Sequence, residues 1–100
     1  MMMLTSFGFI VKAPGYSALQ HHAQLLSEKF STRVVGVADL AEAIWVSRNL
    51  IAQGVQLIEL CGGFSESDRT ELENQTGHEV PVGVVVYNPT QEAELVKLFG

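Results

Sequence analysis

The chain has 100 residues, 47% of them apolar and 17% charged, with a formal net charge of -5 at neutral pH. That length fits one α/β domain, residues 1–100, large enough to bury a core without disulfide or metal staples. The acidic balance argues against a nucleic-acid partner, which requires clustered Lys and Arg, and no apolar run approaches the roughly 20 residues that span a bilayer.

The first residues, Met1 to Ser6, lack the basic start of a signal peptide. They lead straight into an apolar run, Phe7-Gly8-Phe9-Ile10-Val11, that reads as a strand. Pro14-Gly15 then breaks the chain, and Leu19, Ala23, Leu26 and Phe30 recur at the spacing of one helix face. A second strand is expected at Arg33–Val37. A second helix follows from Asp39, a good N-cap, to Gly54, with Leu40, Ala43, Ile44, Leu50 and Ile51 as its inner stripe. The third strand spans Val55–Leu60. After it, Ser65 with Asp68 three residues on predicts a capped helix ending at Gly77. The fourth strand covers Val82–Val86. Asn88-Pro89-Thr90 opens the last helix, whose apolar face is Leu95, Val96 and Phe99.

Strands and helices alternating at this length predict a parallel sheet covered on both faces. The expected fold is a three-layer open parallel sheet of four strands, (βα)4, in the flavodoxin-like or Rossmann-like order 2-1-3-4. If the last helix does not join the first, one face of that sheet is thinly covered, which points to oligomerisation.

In such sheets ligands sit at the carboxyl ends of the strands, where the winding reverses. Two loops meet there. One brings Lys12 and Tyr16, and the other brings Cys61, Gly62, Gly63, Phe64 and Ser65. Two glycines let backbone amides approach an anion, the following helix offers its positive end, and Lys12 adds a full charge. The alternative is that Gly62-Gly63 makes a tight turn and Ser65 only caps a helix. Cys61 at a helix N-terminus has the setting of a nucleophile, yet no histidine is assured as its base, so the favoured reading is a half-buried structural residue. As the single cysteine it excludes an internal disulfide and fits a reducing cytoplasm. The chain lacks G-x-G-x-x-G, a G-K-[ST] loop, C-x-x-C and H-E-x-x-H. Neither a cofactor nor a metal is therefore expected.

Trp45 lies on the outer side of the second helix with Val46 at its margin, and the fourth strand is an apolar edge. These residues, with Val84 and Val86, are candidates for a homo-oligomer interface, a dimer in the first instance. Trp45 packing within its own chain is the other reading.

The Phe7-x-Phe9-Ile10 strand, Leu57-Ile58-Glu59-Leu60-Cys61-Gly62-Gly63-Phe64 and the Pro81–Tyr87 run together resemble a family of short stand-alone bacterial proteins of unknown function. Its distinctive motif is the Cys-Gly-Gly-Phe turn after the third strand. The resemblance implies no reaction and no catalytic residues. Two functions remain. One is the binding of a small anionic metabolite at the ends of strands 1 and 3, with or without chemistry. The other is a homo-oligomeric structural or protein-interaction module with no small ligand.

Overall fold

A computed structural model describes residues 3–100. In chain order the elements are β1 (Ser6–Lys12), β2 (His22–Leu26), β3 (Ser31–Val37), α1 (Leu40–Ala52), β4 (Leu57–Leu60), α2 (Glu66–Gln75), β5 (Val82–Val84) and α3 (Pro89–Phe99). They form one five-stranded sheet in the order β2-β3-β1-β4-β5. The pairs β1–β3, β1–β4 and β4–β5 are parallel, and β2–β3 is antiparallel.

The four-stranded, all-parallel (βα)4 expectation is thereby corrected. The segment read as a first helix is a strand, β2, that adds a fifth, antiparallel member at the edge. Its apolar residues do not make an inner face: Leu19 is 80% exposed and Leu26 66%. What decides the conformation is a tight turn after β2. Ser27 N–H donates to the Phe30 carbonyl at 3.0 Å, while the Ser27 hydroxyl accepts from the Lys29 and Phe30 amides. This serine-built turn reverses the chain without glycine or proline, and β3 supplies the hydrogen bonds that hold β2 extended. The remaining four strands keep the anticipated relative order.

Both α1 and α2 follow right-handed parallel crossovers that run in the same direction across the sheet, so they lie on one face. Strand alternation sends Ile10, Val35, Val37, Ile58 and Leu60 beneath them as the core. Gly8 lets α1 come close. A side chain there would meet the Leu50 Cδ1 atom at 2.9 Å, so Leu50 sits directly on the strand. Asp39 caps α1 by accepting from the Glu42 amide. The Glu42 carboxylate in turn accepts from the amides of Ala18 and Ala38, both at 2.8 Å, and pins the β1–β2 loop to the helix. Ser65 and Asp68 form the expected reciprocal cap of α2, and Asn88 caps α3 with Pro89 in its first turn.

The link from β1 to β3 would carry the helix for the other face in the all-parallel reading. Here it makes β2 instead, and that face is left open. On it lie Phe7, Phe9, Val11 and Leu57, all half-buried, and Tyr16 folded over Gly36, where a side chain would come within 2.7 Å of the tyrosine ring. α3 buries none of its residues. Among the described residues no helix is long and apolar enough to cross a membrane.

Candidate functional site

The strand-end turn is built as the sequence implied, but it is closed by its own groups. The Phe64 amide donates to the Cys61 carbonyl, and the Lys12 amide donates to Cys61 Sγ at 3.3 Å. The Lys12 ammonium lies 5.2 Å from the centroid of the buried Phe64 ring, a cation–π contact. Gly63 packs against the Lys12 carbonyl and Cys61 Sγ, and Gly62 lies under the Tyr87 ring. The Ser65 hydroxyl accepts from the Asp68 amide at 3.0 Å and the Asp68 carboxylate accepts from the Ser65 amide at 2.9 Å. Together with Glu66, this sets two carboxylates at the helix end where an anion would have to sit. Lys12, Cys61, Gly62, Gly63, Phe64 and Ser65 are thus brought together. Tyr16 is not, because its ring stacks toward His21 on the open face, centroids 5.3 Å apart.

Among the described residues no histidine stands by Cys61. His21 and His22 belong to the β2 edge, three strand spacings or about 14 Å across the sheet. His21 Nδ1 accepts from the Ser17 amide, and His78 bonds Glu73 at the far end of α2. Among the described residues no three His, Cys, Asp or Glu side chains gather into a metal-holding group.

A better-formed concavity lies elsewhere. Between α1 and the β2–β3 hairpin runs a groove of about 280 Å³. Its floor is apolar, made by buried Ala18, Val35, Val46 and Leu50. Its walls carry His22, Gln24, Arg33, Asn49 and Gln53, and Trp45 closes one side. The register explains the polar wall: Gln24 pairs with Arg33 and His22 with Val35, so alternate residues of both strands point to this face. Arg33 is the only Lys, Arg, Asp or Glu lining the groove. Its Nε is buried and has no hydrogen-bond partner. The ion pairs of the described residues run through Glu66, Arg69, Glu73 and His78, and none includes Arg33.

An apolar floor with a few convergent polar groups is the usual build of a small-molecule site. An arginine stays charged in any protein setting, and its planar fork matches a carboxylate or phosphate. Trp45, anticipated at an interface, is 51% exposed and borders this groove, whereas Val46 beside it is buried in the core. Val84, anticipated at an interface, is half-buried and packs against the core, and Val86 lies beyond the end of β5 and is exposed. Arg33, Gln24, Asn49 and Gln53 were not anticipated. Arg33 was legible only as the polar first residue of an otherwise apolar strand, and the groove itself depends on β2 being a strand.

Two ionisable groups outside the groove are perturbed. The Glu73 carboxyl is held below its usual range by hydrogen bonds from His78 and Arg69, and Arg69 is raised in return by Glu66 and Glu73. This cluster ties α2 to β5, since Arg69 also donates to the Val82 carbonyl at 3.2 Å.

The chain belongs to a family of unknown function, DUF6506, whose model matches residues 5–100. No curated protein and no solved structure matches it.

Proposed function

We propose that this chain is a binding domain for a small organic anion, held in the groove between α1 and the β2–β3 hairpin. The observation that carries this reading is Arg33. A guanidinium with a dehydrated, unpartnered N–H is costly to keep, and it faces an apolar floor flanked by three side-chain amides. Arg33 would take the carboxylate or phosphate, Gln24 and Gln53 would add amide donors, and the apolar body would lie on Ala18 and Val35 beside Trp45. The anionic ligand class is the one the strand-end turn first suggested. The groove supports it better, because no carboxylate lines it. The free thiol of Cys61 supports a reducing, cytoplasmic setting.

Trp45 is the single tryptophan, so its fluorescence reports on this groove alone. Titration with a panel of mono- and dicarboxylates and phosphate esters is expected to give a saturable change for at least one member. Arg33→Gln should weaken that binding about 10- to 150-fold, the value of a charged hydrogen bond worth about 1.5–3 kcal/mol. A saturable response that Arg33→Gln leaves unchanged, or no response across the panel, overturns the reading.

A further inference from the structure

The C-terminal helix is the least explained part of the molecule. It carries Leu95, Val96, Leu98 and Phe99 around one side, and Val96, Leu98 and Phe99 are 62%, 73% and 82% exposed. An isolated amphipathic helix of 11 residues is marginal in water and needs a surface to pack on. The open face of the sheet presents a largely apolar surface in Phe7, Phe9, Val11 and Leu57, with the half-buried carboxylate of Glu59 opposite Phe9, and no helix covers it. One chain therefore carries two apolar surfaces of matching kind, each without a partner.

The overall dimensions agree. The accessible surface is 6549 Å², against about 5,600 Å² for a folded monomer of this mass. The radius of gyration is 14.2 Å, against about 13 Å for a compact 100-residue domain. The surplus surface, roughly 1,000 Å², is close to the ~800 Å² that each partner gives up in a standard interface.

We propose that two copies of this chain associate about a two-fold axis, each laying the apolar side of α3 on the open sheet face of the other. A two-fold arrangement uses both surfaces of both chains at once and leaves neither exposed. A third kind of protein is not needed, because each surface finds its complement on the same chain. Trp45 stays on the opposite side of the sheet with its groove.

Sedimentation equilibrium of the full chain at 10–100 μM (on the order of ordinary working concentrations for interfaces of this size) tests this. The expected result is a two-chain mass for the wild type. Val96→Glu with Phe99→Glu should weaken association at least about 100-fold, since charges would have to be buried without partners. Both positions are exposed in the single chain, so the variant should keep its circular dichroism and its melting temperature at low concentration. Phe9→Glu, on the receiving face opposite Glu59, should dissociate the pair in the same way, since two like charges would have to be buried together. A one-chain mass for the wild type overturns the proposal, whether α3 is free or folds back on its own sheet. So does a dimer that survives both the helix and the sheet substitutions.

Discussion

Arg33→Met separates a ligand-binding role from a structural one. Methionine keeps a flexible apolar stem of similar reach over the Gly8–Leu50 packing but removes the guanidinium. A buried donor without a partner costs about 1–3 kcal/mol. Only Nε of Arg33 is fully dehydrated and the residue as a whole is half-buried, so the lower end of that range applies. The variant should then be more stable than the wild type by about 1 kcal/mol without ligand, which for a domain of this size raises Tm by about 4–8 °C. Differential scanning calorimetry reads the shift directly. A ligand present at 100 times its wild-type Kd should add about 2.7 kcal/mol to the wild type but only about 0.3–1.4 kcal/mol to a variant that binds about 10- to 150-fold more weakly, so the order of stabilities should invert. If Arg33→Met instead melts several degrees lower without ligand, the guanidinium braces the hairpin, and the inference from its unpartnered nitrogen fails.

Two further outcomes probe the rest of the frame. Ser47 is wholly buried on α1 and its hydroxyl has no partner, so Ser47→Ala should stabilise by about 1 kcal/mol, with alanine's helix preference contributing; a loss of stability in urea unfolding would mean the hydroxyl is satisfied. Because Glu73 is held below the ordinary carboxyl value of 4.5 by His78 and Arg69, its contribution is complete above that pH and is lost as pH falls through the lowered value. The acid limb of stability against pH should therefore be shallower in Glu73→Gln than in the wild type, and parallel limbs would show that the cluster does not couple to folding.

The parts of the fold legible in the sequence were those whose signals are local. Asp39, Ser65 and Asn88 cap helices because each side chain reaches an amide three residues on, and that spacing is visible in any window of the chain. The four apolar runs became the mutually parallel strands, with the core on the helix side and half-buried Phe7, Phe9, Val11 and Leu57 on the other, rather than the two covering layers that such runs ordinarily signal. Segment 17–30 carried no such signal. His22–Leu26 is exposed throughout, so neither period 2 nor period 3.6 is enforced by a core, and the accidental spacing of Leu19, Ala23, Leu26 and Phe30 pointed to a helix. What holds β2 is its pairing with β3, a long-range contact, together with a turn whose determinant is one serine hydroxyl. Cys61-Gly62-Gly63-Phe64 reads in the sequence as a candidate anion loop or as a plain tight turn, and the structure has a turn there that closes on its own groups. That Glu66 and Asp68 would occupy the helix end beside it follows from side-chain positions that spacing alone does not give.

Both proposed surfaces trace to that one missing helix. Five strands at about 4.8 Å place the outer strand axes about 19 Å apart, and two helices of about 10 Å diameter lie over them. α1 sits inward, drawn onto β1 by Gly8, and α2 lies toward β5, so the margin over β2 is left uncovered on the helix side. The groove with Arg33 is that margin. On the other side, the β1–β3 connection spends its residues on β2 and gives the sheet no cover, which leaves Phe7, Phe9 and Val11 to be covered by something else. A chain with a helix between β1 and β3 would have filled the second void and never opened the first. Replacing that helix by an edge strand is thus the physical origin of both the groove offered to an anion and the face offered to a second copy. The two lie on opposite sides of the sheet, so ligand titration of the monomeric Val96→Glu, Phe99→Glu variant should still reach wild-type affinity at Arg33.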